Sequence, residues 1–405
     1  MKKPQLLFWR KKKNAHMEEA PQNEYYESVS ANLGIFQVIL YFSLFAFVVL
    51  SFFSNTRLIT YQNFYYFFKD LNASVESSET YGSDSVTYPS NPQQSFSLYR
   101  KGLAVAGNKS VSVFTATGKQ ALSKIVNYQN PTAVGTGKYL MVYEMGGTHY
   151  SLYNSYTQVH TGKTEKPILG ATVSDSGMYA LITLSDEYST VVWLYDSHFS
   201  LLSRYNKTGY VMDVELDGEG ERIALLTSAM KNGLYQTRLE LYKTGKKESE
   251  AEIHVGDTVG LSCAFTSSGA VSVLSGDAIR FYSSGGALLS SFSFDGLQMA
   301  DAELDEDGAT VCLKPPSASS SPLLVVFDKN GKTLYQEYTQ TDVEALSREG
   351  NSVYLLSYGV LERLNLRTKQ ISKKACNTDQ RILLAVNEDE ALLCSSQKAE
   401  YIRFR

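Results

Sequence analysis

Two columns of residues recur along most of this chain with a common spacing. The first is a bulky apolar residue closing a β-prone run: Phe114, Tyr153, Tyr195, Tyr242, Tyr282, Phe327, Leu364 and Phe404, at steps of 39, 42, 47, 40, 45, 37 and 40 residues. The second is a turn residue just before another apolar run: Gly102, Gly137, Gly177, Gly220, Gly269, Gly308, Gly350 and Asp389. Each repeat holds about four short runs of Val, Leu, Ile, Tyr and Phe separated by Gly, Asn, Asp or Ser turns. A helical repeat of this length needs apolar periodicity over ~10–15 positions, and the repeats lack it. A four-stranded unit of ~40–45 residues is the blade of a β-propeller. Runs such as MYALITL and SVYLLS are continuously apolar, as expected of strands covered on both faces by neighbouring blades.

The repeats therefore predict an all-β chain, an eight-bladed propeller over residues 84–405. Repeat eight ends after its third strand. A blade left open there would expose unpaired backbone groups. Ser85-Val86-Thr87-Tyr88 is the one β-prone stretch before repeat one, so it is expected to supply the fourth strand by pairing with the segment ending Tyr401-Ile402-Arg403-Phe404-Arg405. Seven blades plus an irregular terminal segment is the alternative.

Ahead of the repeats, Leu33 to Phe53 is an apolar run with no charged residue in 21 positions. As a helix rising ~1.5 Å per residue it is ~31 Å long, the thickness of a bilayer's hydrocarbon core. The preceding 32 residues and the missing A-x-A-like site argue for an uncleaved anchor rather than a signal peptide. Lys2, Lys3, Arg10, Lys11, Lys12 and Lys13 precede the run, and Arg57 and Lys69 follow it. The positive-inside rule then makes residues 1–32 a cytoplasmic tail, 33–53 the transmembrane helix, and everything from Ser54 onward extracytoplasmic. Within residues 54–83, Tyr61, Phe64, Phe68 and Leu71 fall at near-helical spacing. That short aromatic helix suits either the membrane interface or the surface of the following domain, and a polar linker follows it.

The segments VSDSGMYALITL, LDGEGERIALLTS and LDEDGATVCLK resemble the repeats of WD40-like propellers, without their proline or their Trp-Asp dipeptide. The basic tail, the single span, the segment Asn63-Phe64-Tyr65-Tyr66-Phe67-Phe68-Lys69-Asp70-Leu71 and the repeats together resemble a domain-of-unknown-function family of bacterial single-pass membrane proteins with extracytoplasmic propellers. That resemblance implies no catalytic residues.

Candidate chemistry is sparse. His16, His149, His160, His198 and His254 show no metal-ligand spacing. Asp213-x-Glu215-x-Asp217-Gly218 and Asp301-x-Glu303-x-Asp305-x-Asp307-Gly308 look faintly like calcium loops. The twelfth positions are Ala224 and Cys312, so the bidentate glutamate is missing. Both are expected to be strands running into turns, with Asp305 and Asp307 solvated. Gly162-Lys163-Thr164 and Gly331-Lys332-Thr333 lack the leading glycine of a P-loop, and G-x-S-x-G is absent. Cys263, Cys312, Cys376 and Cys394 allow three pairings, but their repeat positions favour small buried thiols. A net charge of −4, with 38 basic and 42 acidic residues, argues against a general nucleic-acid binder.

No catalytic, cofactor or metal residue is assigned, and no cofactor is expected. The leading expectation is a membrane-anchored propeller that binds an envelope protein or glycan as a scaffold. The alternative is an envelope glycan or peptide hydrolase with its site at the channel mouth, where inward carboxylates of shifted pKa would favour it. A sensor transmitting ligand binding inward ranks third, because the 32-residue tail has no recognisable domain.

Overall fold

Each repeat closes as one antiparallel sheet because its two middle strands bury both faces and its outermost strand meets water. The computed structural model describes residues 33, 36–46, 84–316 and 321–404. Among these, the strands form eight four-stranded sheets, the eight blades expected. The seven-bladed alternative falls away. The second strands of the repeats, such as those in Gly102–Gly107 and Ser352–Ser357, are buried throughout. Outermost strands, such as Thr333–Tyr338 and Ile371–Ala375, are largely exposed.

Seven blades use four consecutive strands, and the eighth is shared between the chain ends. Its order is β1 (Ser85–Thr87), β32 (Lys398–Arg403), β31 (Glu390–Cys394) and β30 (Ile382–Asn387). The expected closing strand is present. Its register is Ser85 to Glu400, Val86 to Ala399 and Thr87 to Lys398, so it pairs slightly earlier in the final segment than expected. Val86 and Tyr88 enter a cluster with Leu103, Val105 and Phe114 of blade 1 and Leu392, Cys394 and Tyr401 of blade 8. The clasp is therefore a hydrophobic seam as well as a hydrogen-bonded edge.

The turn column also behaves as its residue type requires. Gly177, Gly220, Gly269, Gly308 and Gly350 all have positive φ. At Gly308 (φ 138°) an added Cβ would lie 2.4 Å from the Phe327 carbonyl oxygen, so a side chain is excluded by both conformation and space.

Cys263, Cys312 and Cys394 are buried free thiols, and Cys376 is half-buried and free. Residues 36–46 are helical, with exposed apolar side chains that include Phe36, Val38, Ile39 and Phe42. Among the described residues, no helix is long and apolar enough to cross a membrane. The tail at 1–32, all of 47–83 with its aromatic segment, and therefore parts of the 33–53 run lie outside the described residues.

Candidate functional site

The innermost strands are β2 (Gln94–Tyr99), β6 (Pro131–Gly135), β10 (Ile168–Val173), β14 (Tyr210–Leu216), β18 (Gly260–Phe265), β22 (Gln298–Asp305), β26 (Ala345–Glu349) and β30. Each carries one edge that its own sheet does not pair. Unpaired buried N–H groups cost free energy, and side-chain oxygens of the neighbouring blade take several of them up. Ser95 and Ser97 accept the N–H groups of Ala133 and Gly135 at 3.0 and 2.9 Å. Asp213 accepts from Cys263 at 2.9 Å, and Asp301 accepts from Leu346 at 2.8 Å. Glu303 accepts from the Arg348 N–H and the Ser347 hydroxyl, and Ser347 in turn accepts from Ala385 at 2.9 Å. These bonds advance in step, so the inner strands run the same way. All begin on one face of the ring, called here the leading face.

This corrects the expectation for the acidic segments. Asp213, Glu215, Asp301, Glu303 and Asp305 are half-buried rather than fully solvated, and the first four clasp blade to blade. Burial, followed by repulsion from Asp213, pushes Glu215 up to about 8; the Thr172 hydroxyl, 3.1 Å away, opposes this. Burial, followed by repulsion from Asp305, takes Glu303 to about 8, and burial takes Asp213 to about 6. At the far end of the ring, burial and then Asp307, Asp305 and Glu306 raise Glu349 to about 7. The alternating acids follow the unpaired inner edge, which sequence alternation alone does not reveal. Among the described residues, no group of histidine, cysteine and carboxylates has a metal-holding arrangement.

The leading face has a second character. In blades 3 to 6 the inner strand carries a β-bulge at the matching place, between Ile168 and Gly170, Val211 and Asp213, Gly260 and Ser262, and Met299 and Asp301. A bulge re-aims the residue it leaves unpaired. Here those residues are Leu169, Met212, Leu261 and Ala300, and Met212 and Leu261 are 41% and 38% exposed. Blade 4 adds a projecting hairpin. Its middle strands β15 (Arg222–Lys231) and β16 (Leu234–Lys243) have 10 residues each, the longest among the described residues. Asn232 and Gly233, with φ of 53° and 80°, make the two-residue turn that joins them. Met230, Leu234 and Tyr235 on this hairpin, and Tyr210 beneath it, are exposed. The sequence missed this surface. One available signal was the 47-residue step from Tyr195 to Tyr242, together with Asn-Gly between two apolar runs.

On the opposite face, the exposed large apolar residues are Leu201, Leu202, Leu288, Leu289, Leu334 and Ile371, each near the start of an outermost strand. The chain enters the ring at this end of blade 8, where Tyr401 donates its N–H to the Asp84 carbonyl and Arg403 pairs with Asp84 at 2.9 Å. A groove of about 500 Å³ at blade 3 is lined by Trp193, Arg204, Lys163 and Glu187. The Arg204 guanidinium lies 4.8 Å from the indole, whose Nε1 donates to Thr183 at 2.9 Å.

Residues 75–404 match the model of a family of unknown function, DUF5711. The chain belongs to that family. No curated protein matches it. Among solved structures it is similar to the C-terminal WD40 domain of Sif2, at 11% identity and a TM-score of 0.58, covering 79% of this chain and 97% of that one. It is similar to Chaetomium thermophilum Sqt1 bound to the N-terminus of ribosomal protein L10, at 12% identity and 0.55, covering 79% and 99%. BamB from Moraxella catarrhalis is also similar, at 12% identity and 0.51, covering 80% and 99%. At these identities the likeness establishes a WD40-like propeller fold and does not extend to activity or partners.

Proposed function

We propose that this DUF5711 protein is a membrane-anchored, extracytoplasmic propeller that recruits a protein partner at the cell envelope through its leading face. The carrying observation is the distribution of exposed apolar side chains. On the leading face they gather at the inner-strand starts and the blade-4 hairpin; on the opposite face, from which the chain enters the ring, they are spread singly or in pairs over the starts of separate outermost strands. Concentrated exposed apolar surface marks interaction sites on soluble domains. The Sqt1 propeller, bound to a ribosomal protein's N-terminus, is a precedent for a propeller that takes a protein segment. The anchor reading draws on the charge-free run at 33–53 and on the exposed apolar side chains of helical residues 36–46. A glycan is the other ligand class this scaffold reading accommodates, and the Trp193 groove is its place.

Protease added to intact cells should remove the propeller, and alkaline carbonate should leave the protein in the membrane. Protection of the propeller until the cells are lysed would reverse the topology. Release by carbonate would end the anchor reading.

A hydrolase is the second reading, because Glu215 and Glu303 hold protons near neutral pH as general acids do. Their oxygens are engaged in blade-to-blade hydrogen bonds, which places this reading second. Cleavage of purified cell-wall material by the full-length protein, abolished in Glu215→Gln, would promote it.

A further inference from the structure

The blade-4 hairpin leaves backbone hydrogen-bonding groups open on the leading face. Pairing of β14 with β15 ends at Tyr210 and Ser228, and β16 pairs with β17 (Ala251–Gly256) only as far as Thr237 and Gly256. Three further rungs follow: Ala229 with Gln236, Met230 with Tyr235, and Lys231 with Leu234. Neither β14 nor β17 flanks them; Gly209, just ahead of β14, sits against Ala229, so the clear part of the β15 edge is Met230–Lys231. An unpaired strand edge is a template for another strand. The free edge of β15 lies on the β14 side, toward Tyr210 and the bulged Met212.

Charge narrows the occupant. The eight inner strands carry six carboxylates, Asp213, Glu215, Asp301, Glu303, Asp305 and Glu349, against one cation, Arg348. Arg348 directs its guanidinium to the carbonyl oxygens of Phe327 and Gly350. Among the described residues, no ion pair reaches Asp213, Glu215, Asp301 or Glu303. Asp213 lies three residues along β14 from Tyr210, a distance of ~10 Å at ~3.3 Å per residue. A lysine or arginine side chain descending from the mouth spans most of that distance. The hairpin's own cation, Lys231, sits at its turn.

We propose that a basic, extended segment of a partner protein adds as a strand to the β15 edge at Met230–Lys231, lays apolar side chains on Tyr210 and Met212, and directs a lysine or arginine toward Asp213 and Glu215. This rests on the protein-scaffold reading above. Main-chain pairing supplies affinity in this mode, and alternate side chains supply specificity. A cation brought to Asp213 and Glu215 favours their ionised forms, whereas an acidic side chain there meets the Asp213 charge, so acidic segments are selected against.

The test is a titration of purified full-length protein in detergent with three fluorescent peptides. One alternates Val and Lys, one alternates Val and Glu, and the third is the Val-Lys peptide N-methylated at alternate amides. The Val-Lys peptide should bind saturably, with the Val-Glu peptide and the N-methylated peptide at least about tenfold weaker, the loss of ~1.4 kcal/mol. Asp213→Asn combined with Glu215→Gln should weaken the Val-Lys peptide by a similar factor. Deleting residues 229–231 and 234–236, which leaves Asn232-Gly233 as the turn, should abolish binding while the circular dichroism spectrum is kept. Equal binding of the Val-Lys and Val-Glu peptides, indifference to N-methylation, or unchanged binding to the shortened hairpin overturns the proposal. Failure here with a protein still cross-linked from Tyr235 in intact cells removes the strand-addition mode and leaves the scaffold reading standing.

Discussion

Removing the Tyr88 side chain tests how the ring is held shut. Tyr88 follows β1 directly and is 6% exposed. Its ring centroid lies 5.6 Å from that of Phe96 and 6.4 Å from that of Phe114, both in blade 1. Its hydroxyl donates to the Ser395 carbonyl at 2.8 Å and its N–H to the Gln397 carbonyl at 3.0 Å, both in blade 8. One side chain thus joins the first blade to the last. Truncating a buried aromatic ring to alanine costs ~3–5 kcal/mol. Loss of the hydroxyl bond contributes ~1 kcal/mol. The Tyr88→Ala protein should therefore be ~4 kcal/mol less stable. At ~2 °C per kcal/mol for a large domain, that lowers the thermal midpoint by about 8 °C. Tyr88→Phe keeps the ring and loses only the hydroxyl bond, so its midpoint should fall by about 2 °C. Differential scanning calorimetry of both variants beside the parent reads this directly. Equal midpoints for Tyr88→Ala and the parent would refute the claim that the N-terminal strand closes the ring. A fall of equal size in both variants would assign the effect to the hydroxyl and not to the seam.

Three further outcomes follow from the inner edge and the turns. Asp301→Ala leaves the Leu346 N–H without its acceptor and should cost ~1–3 kcal/mol in chemical denaturation, whereas Asp301→Asn retains an acceptor and should cost less. Glu215 and Glu303 have folded pKa values raised to about 8, so the folded form binds more protons than the unfolded chain. Their favourable contribution is complete below the ordinary carboxylate range and is lost as pH rises through about 8. The thermal midpoint should therefore fall between about pH 5 and 8 and level off above that, and combining Glu215→Gln with Glu303→Gln should flatten the fall. Gly308→Ala should destabilise by ~2 kcal/mol or more, measured by the same denaturation, because the added Cβ meets the backbone of Phe327 and Asp328.

The fold was legible because its determinants are local and repeated. Each blade needs a tight turn after its inner strand and a bulky residue closing its third strand, so Gly220 and Tyr242 recur in kind at every period. The closing strand was legible because repeat eight lacked a fourth strand and Ser85–Tyr88 was the one β-prone stretch before repeat one. The inner-edge acids were not. In Asp213-x-Glu215 the alternation is what a solvated strand face also shows. Only the position of β14 at the centre of the ring turns those carboxylates toward the unpaired N–H of Cys263 and the hydroxyl of Thr172. The bulges that present Met212 and Leu261 were equally hidden, since a bulge is a property of two paired strands and not of one sequence.

The central claim is that the leading face recruits a protein partner. Its most direct test is a photo-cross-linking amino acid placed at Tyr235 on the blade-4 hairpin or at Leu288 on the opposite side, each in the full-length protein in intact cells. Both positions are about half exposed, 48% and 57%, so they differ in location far more than in access. The account predicts a discrete protein adduct from Tyr235 and none of that mass from Leu288. The same adduct from both positions, or from Leu288 alone, would contradict it.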